Sequence, residues 1–376
     1  MTLRVLQIVN TLASADGGPS RNSSDLNFAL NQLELVEARI VAVKGMRSGS
    51  AFRTFREGDG YAPVAEPTYL ASIRLRKRLL LLNSLIRKSD VVLIHGFYLW
   101  WIPIIFVLCK LAGIRFVITP HGSLTNYDHK KSPAKKRIFD RVIGFRLLRC
   151  ASVIVCGSQV EADELSSRVQ GCRTEVGGVG TFPGEEVAQG PVHAPLRLLS
   201  LGRIARKKRI DASILAVQEL LRQGVSCELQ IVGSGPADLE KELHDLVDRS
   251  GLGGSVKFVA EQTGPEKDRV FASADLLLFP SEDENFGIVL AEALCHGVPV
   301  VCSDRVASAT VVNESRAVRI VSDSDGGMLA AAIRSFLGDE ASFGRLREEG
   351  ILAGLSAFSW IQIAKRWEAL LKGVVN

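Results

Sequence analysis

Short apolar, β-branched runs alternate with stretches of helical periodicity along the whole chain, and that alternation leaves few folds open. In the first half the runs are LRVLQIV (3–9), ARIVAV (38–43), DVVLIH (90–95), RFVIT (115–119) and SVIVC (152–156). In the second they are LRLLSL (196–201), CELQIV (227–232), SVKFV (255–259), DLLLF (275–279), VPVV (298–301) and AVRIV (317–321). They are apolar on consecutive positions, so both strand faces are buried, as between two helix layers. The pattern predicts an α/β chain carrying two Rossmann-like, doubly wound parallel sheets in tandem. A length of 376 residues exceeds one ordinary domain and supports that division. GPVHAP (190–195), polar and without periodicity, is the expected linker. It places the domains at 1–189 and 196–355. The remainder, 356–376, opens a helix at Ser359 with Trp360, Ile363, Ala364, Trp367 and Leu371 on one stripe. Such a stripe has to be buried, which a helix bracing back onto the first domain would achieve.

Composition narrows the partners. A net charge of +5 is too small to argue for nucleic acid unless it clusters. The seven cysteines are scattered without CxxC spacing, several inside apolar runs, which fits reduced thiols in the cytoplasm. The opening MTLRVLQIVN reads as a strand and not as a secretory leader. FYLWWIPIIFVLC (97–109) is too short to span a bilayer and is interrupted by Pro103, so the expectation is a soluble or peripheral protein. No HxxxH or CxxC pair stands at a strand end, the Asp-rich 322–326 segment lacks the spacing of a calcium loop, and no GxSxG elbow occurs. No metal or cofactor is expected.

Ligands of doubly wound sheets sit beyond the carboxyl ends of the strands, so the residues following each run carry the functional reading. The richest is DLLLFPSEDENFGIVLAEALCHGVPVV. A strand ends at Phe279, a polar loop carries Glu284, and the turn Asn285, Phe286, Gly287 leads into a helix. The amides of Ile288, Val289 and Leu290 at its start would lack intrahelical partners and suit a diphosphate. Glu284 and Glu292 can border one cleft and contact different portions of a ligand, because a carboxylate accepts from two hydroxyls at once. The plainer alternative makes them a loop charge and a helix-surface residue. After the first strand of the second half, LGRIARKKRID places Gly202 at a turn, then Arg203 and Lys208 five apart before a helix capped by Asp211. Two cations aimed at one spot would neutralise a diphosphate leaving group. Arg206, Lys207 and Arg209 read as solvated charge. IVGSGP places Gly233 and Gly235 where a base or ribose would approach the backbone. In the first half, DGGPSR (16–21) gives Gly17 and Gly18 the same task. His121, in ITPHGS, can donate to a sugar hydroxyl or phosphate or stabilise developing charge; His95 ends the preceding strand.

In this order the motifs resemble the retaining glycosyltransferases of family 4, of GT-B fold. The resemblance rests on SEDENFGIVLAEAL, carrying Glu-x7-Glu as Glu284 and Glu292, with LGRIARKKR, IVGSGP, ITPHGS, the early glycine pair and the FSW opening of the last helix. It implies two Rossmann-like domains facing a cleft, with a nucleotide-diphosphate sugar as co-substrate and transfer of a hexosyl-type group with retained anomeric configuration and no metal. Glu292 would bind the ribose, and Arg203 and Lys208 the diphosphate beside the amides of 288–290. Glu284 would meet the donor sugar, with His121 near the reacting centre. The chain departs from the family at Arg209, where Gly is usual, and at VGGVG (176–180), which lacks the family's Asn and Asp.

SIRLRKRLLLLNSLIRK (72–88) and HKKSPAKKRIFDRVIGFRLLR (129–149) are basic and apolar together. They suit either anionic lipid headgroups at the inner membrane surface or ordinary surface helices. With the PHGS-to-KK run, which resembles bacterial exopolysaccharide and O-antigen transferases, they point to a lipid-linked glycan acceptor in cell-surface polysaccharide synthesis. Two rival readings stay open: a nucleotide-sugar epimerase of similar fold, which would need acid and base carboxylates where the first half offers only Asp16, and a silent sugar-nucleotide binding module.

Overall fold

The computed structural model describes residues 2–13, 18–44, 64–129, 133–184, 186–322, 325–337 and 340–376. The chain divides into two compact units, 1–180 together with 360–376, and 181–359. In the first unit the strands are β1 (Leu3–Val9), β2 (Val36–Ala42), β3 (Thr68–Tyr69), β4 (Val91–His95), β5 (Arg115–Thr119), β6 (Val153–Cys156) and β7 (Thr174–Val176). They form one parallel sheet in the order β3-β2-β1-β4-β5-β6-β7. Helices α1 (Gly18–Leu30), α2 (Leu75–Arg87), α3 (Ile102–Ala112), α4 (Asn126–His129), α5 (Pro133–Phe139), α6 (Phe145–Cys150) and α7 (Gln159–Arg168) supply the crossovers. The second unit holds β8 (Leu196–Leu201), β9 (Cys227–Val232), β10 (Val256–Val259), β11 (Leu276–Phe279), β12 (Val300–Ser303) and β13 (Val318–Val321), all parallel, in the order β10-β9-β8-β11-β12-β13. Its helices are α8 (Ile210–Arg222), α9 (Ala237–Arg249), α10 (Pro265–Ala272), α11 (Ile288–Cys295), α12 (Gly326–Phe336) and α13 (Glu340–Phe358).

Strand order reverses beside β1 in one sheet and beside β8 in the other, so each unit has a topological switch point, where doubly wound sheets bind ligands. The cores are aliphatic. Ile8, Val92, Ile94 and Ile118 pack under the first sheet, and Leu198, Leu229, Ile231 and Leu278 under the second. All seven cysteines are free thiols, and burial pushes those of Cys109, Cys295 and Cys302 up to about 12, so they pack as small apolar groups.

The unit boundary falls between Gly180 and Thr181, ahead of the 190–195 segment where a linker is expected. The reason lies in what 181–195 touches within the second unit. The Ala188 N–H donates to the His296 carbonyl (2.7 Å), and a Cβ on Gly184 would meet the His296 ring. The His193 ring and backbone N–H both bond Asp275, which is fully buried. The last helix, α14 (Trp360–Val375), groups with the first unit and buries Trp360, Ile363, Ala364, Trp367 and Leu371, the stripe read from sequence. VGGVG receives it: a Cβ on Gly177 would stand 2.7 Å from Trp367, and one on Gly180 2.5 Å from Trp360.

Candidate functional site

At the switch point of the second unit the loops after β8 and β11 are tied together. The Glu282 N–H donates to the Lys207 carbonyl (2.7 Å), and Lys208 Nζ lies 2.6 Å from Glu284 Oε1 and over the Phe279 ring at 4.7 Å. Glu284 is fixed from the other side by a parallel bridge to Val306, its N–H donating to the Arg305 carbonyl at 3.2 Å. Two cations read from sequence as solvated are part of this joint. Lys207 Nζ bonds the Asp283 carbonyl and carboxylate (2.9 and 3.2 Å), and Arg209 pairs with Asp211 and Glu282. Arg206 instead meets Glu242 on the open surface. Arg203 is exposed and has no ion-pair partner among the described residues. Its charge therefore stays available for an incoming anion.

Asp211 does not cap α8. The helix starts at Ile210, and Arg209 holds the cap position in the left-handed region (φ 49°, ψ 45°), where a Cβ is unfavourable. The glycine usual here in family 4 fits that backbone. Gly233 and Gly235 are required by packing. A Cβ on Gly233 would lie 2.0 Å from the Gly202 carbonyl oxygen, and one on Gly235 2.4 Å from that of Ile204, so these glycines let two strand-end loops pack together. Gly202 faces open space instead.

Gly287 precedes α11 with φ 86°, and a Cβ there would meet Val306 at 2.7 Å, so the turn into the helix requires glycine. Of the three expected amides, that of Leu290 is taken by the Gly287 carbonyl at 3.0 Å. Those of Ile288 and Val289 have no acceptor among the described residues. Asn285 lies partly buried in the turn, while Phe286 is buried with its ring edge-on to Phe358 at 5.7 Å and packs more than it presents. Glu292 is buried inside α11, and Lys267 Nζ of α10 stands 2.6 and 2.7 Å from its two oxygens. Nothing in the sequence announces Lys267, which lies on a different helix. The loop joint gathers Lys208 and Glu284; Glu292 is held separately.

The first unit places His95 at the end of β4 and His121 just beyond β5. Their rings meet at 2.7 Å, His95 Nδ1 to His121 Nε2, and His95 Nε2 is 2.8 Å from Gln7 Oε1 of β1. Burial, with the neighbouring His121, holds His95 well below the usual histidine range, and burial brings His121 down to about 4. His121 has φ 52°, a strained backbone for a residue with a Cβ. The following Gly122 N–H donates to Glu161 Oε1 at 2.6 Å, whose Oε2 accepts from Gly157. Ser158 caps α7, its Oγ accepting from the Glu161 N–H, a Ser-x-x-Glu spacing readable in the sequence, while the Glu161 carboxylate reaches back to Gly157. Gly18 opens α1 onto free space, while Asp16 and Gly17 lie outside the described residues. Among the described residues, no three His, Cys, Asp or Glu side chains gather as a metal site.

Residues 185–352 match the family described as glycosyl transferases group 1, and residues 17–176 the family described as glycosyl transferase 4-like domain. A D-inositol 3-phosphate glycosyltransferase of a Nocardioides species is 28% identical over 293 residues, 71% of this chain and 61% of that protein. The amylovoran biosynthesis glycosyltransferase AmsK of Erwinia amylovora is 31% identical over 148 residues, 38% of this chain and 36% of its own. The chain thus spans 61% and 36% of the length of these two relatives. Among solved structures, Anabaena HepE in complex with UDP and glucose superposes with a TM-score of 0.74 at 17% identity, over 99% of this chain and 100% of that one. At that identity the likeness is one of fold, GT-B.

Proposed function

The chain belongs to the glycosyltransferases that join a 4-like domain to a group 1 domain, and we propose that it moves a hexosyl group from a nucleotide-diphosphate sugar to an acceptor hydroxyl with retention. The observation that carries this reading is the joint between the β8 and β11 loops, which sets Lys208 and Glu284 together at the switch point in the loops that lead to Arg203 and the α11 amides. The diphosphate takes the charge of Arg203 and Lys208 and the N–H groups of Ile288 and Val289, so the protein itself supplies positive charge to the leaving group. Glu292 accepts from the ribose hydroxyls, and Glu284 accepts from the donor sugar. The anomeric carbon–phosphate oxygen bond breaks, the acceptor oxygen bonds that carbon on the same face, and its proton passes to the departing phosphate. HepE, of the same fold, was solved with UDP and glucose, which makes uridine diphosphate sugars the first donors to try. AmsK, named for amylovoran biosynthesis, favours a polysaccharide acceptor.

A lipid-linked acceptor fits the exposed face of α2, where Leu75, Leu79 and Leu80 stand in solvent among Arg74, Arg76 and Lys77. No helix among the described residues is long and apolar enough to cross a membrane. Contact at the inner membrane surface would therefore run through such a face. The other basic stretch, 129–149, exposes Ile138 and Val142 beside Lys135, Arg137 and Arg141, and its residues 130–132 lie outside the described residues.

The test is a thermal-shift screen of nucleotide sugars followed by product analysis with the selected donor. Glu292→Ala should weaken donor binding by about tenfold or more, as loss of charge-assisted hydrogen bonds implies. Glu284→Ala should lower kcat more than donor affinity, and chelation with EDTA should leave turnover unchanged. Full activity in both variants, or a donor isomerised without acceptor, would overturn the assignment.

A further inference from the structure

A buried polar thread runs through the first unit and ends on His121. Gln7 sits in β1 between the apolar Leu6 and Ile8 and is fully buried, as is Asn27 of α1. A buried amide is costly unless its groups are paired. Gln7 Nε2 donates to Asn27 Oδ1 at 3.2 Å, and its Oε1 faces His95 Nε2 at 2.8 Å. His95 Nδ1 in turn faces His121 Nε2 at 2.7 Å. The two ring planes lie 13° from parallel with centroids 5.0 Å apart. The nitrogen–nitrogen gap plus one ring radius on each side accounts for that separation, so the rings meet edge to edge in an N–H···N bond and are not stacked.

With the Gln7 amide oriented so that its Nε2 donates to Asn27, proton bookkeeping along the thread has one solution. A carbonyl oxygen only accepts, so His95 Nε2 carries the hydrogen. A neutral imidazole carries one, which leaves His95 Nδ1 as a lone pair. His121 Nε2 must then be the donor, and His121 Nδ1 is bare. Burial keeps both rings neutral near pH 7. We propose that Gln7 and His95 act as positioning residues that hold His121 in its Nε2–H tautomer, so that its ring, whose Nδ1 has no partner among the described residues, presents that lone pair to a substrate hydroxyl. His121 is thereby a hydrogen-bond acceptor at the reacting end, where the sequence alone allowed it to donate to a hydroxyl or phosphate. The Glu161–Gly122 bond holds the same turn from the other side. The catalytic consequence rests on the transferase reading above; the tautomer does not.

The experiment is long-range ¹H–¹⁵N spectroscopy of the full chain labelled at histidine nitrogen, near neutral pH and without ligand, with His121 assigned by its loss in His121→Asn. The expected spectrum gives His121 a protonated Nε2 and a bare Nδ1. In Gln7→Met, and independently in His95→Phe, that preference should give way to a tautomer mixture. Transfer by Gln7→Met should lose about two- to tenfold in kcat with donor KM unchanged, the scale of a misdirected hydrogen-bonding partner. An Nδ1–H or doubly protonated His121 in the native chain overturns the proposal, as does an Nε2–H tautomer that persists in both variants. If the native spectrum and its variants behave as expected while no sugar transfer is found with any donor, the thread stands and the transferase reading falls.

Discussion

Glu292 and Lys267 show what one buried ion pair asks of a site. Glu292 is 4% exposed, and its carboxylate would be left uncompensated if its partner were truncated. Breaking such a pair from one side typically costs about 3–5 kcal/mol, whereas replacing both members with apolar groups is near neutral. Lys267→Met should therefore lower the melting temperature of the second unit by roughly 10 °C, given about 2–4 °C per kcal/mol for a domain of this size. Lys267→Met combined with Glu292→Met should recover most of that loss in calorimetry but no donor affinity. A double variant as unstable as the single one would refute this account. Arg209 poses the converse case, a side chain where the backbone favours none. Its two ion pairs, each worth about 0–1 kcal/mol, offset part of a left-handed cost of about 1–2 kcal/mol. Arg209→Ala keeps the backbone cost and loses the pairs, while Arg209→Gly sheds both. The glycine variant should thus unfold at higher urea than the alanine variant, by about 1 kcal/mol, and equal midpoints would contradict a strained Arg209.

At the scale of elements, sequence and structure agree where burial is symmetrical. The runs 90–95, 152–156 and 275–279 coincide with strands buried at every position, because a strand covered on both faces is apolar on consecutive residues, as in 91–94, Val153–Cys156 and Leu276–Phe279. β3 and β7 carried no such signal, being two and three residues long, only half-buried and at the sheet edges. Glu284, Glu292, Lys208 and His121 were legible because strand ends followed by Gly-containing turns mark ligand positions. Lys267, Gln7 and Lys207 were not, because each acquires its role from a partner distant in sequence. VGGVG is a similar case: its glycines make room for tryptophans nearly two hundred positions on. All four tryptophans, Trp100, Trp101, Trp360 and Trp367, lie in the first unit, so intrinsic fluorescence reports that unit alone. Gly180→Ala should destabilise it by about 1–3 kcal/mol through overpacking against Trp360. Gly254→Ala in the second unit, where a Cβ meets nothing within 4 Å, should leave the fluorescence transition unmoved.

Over the whole molecule, exposed apolar side chains and cations without an ion-pair partner among the described residues occur together on helices of the first unit, and α2 shows the combination most fully. Leu82 and Ile86 anchor that helix to the core, while Leu75 and Leu80 are 67% and 70% exposed between Arg74, Arg76 and Lys77. Single exposed apolar residues are ordinary on any surface. Several on one basic helix are what an anionic bilayer would recognise, each cation adding about 1 kcal/mol near such a surface and each inserted leucine about 1.5–3 kcal/mol if fully buried. Vesicle sedimentation separates the two contributions. The chain should bind phosphatidylglycerol vesicles and not phosphatidylcholine vesicles, with affinity falling as salt screens the cations. Arg76→Glu with Lys77→Glu should abolish the salt-sensitive part, whereas Leu75→Ser with Leu80→Ser should weaken binding at every salt concentration. Neither pair alters the strand-end loops that hold the proposed donor, so transfer to a water-soluble acceptor should persist in both while transfer to a lipid-linked acceptor in vesicles falls. Equal loss with both acceptors would assign α2 to folding or catalysis and remove the membrane from the account.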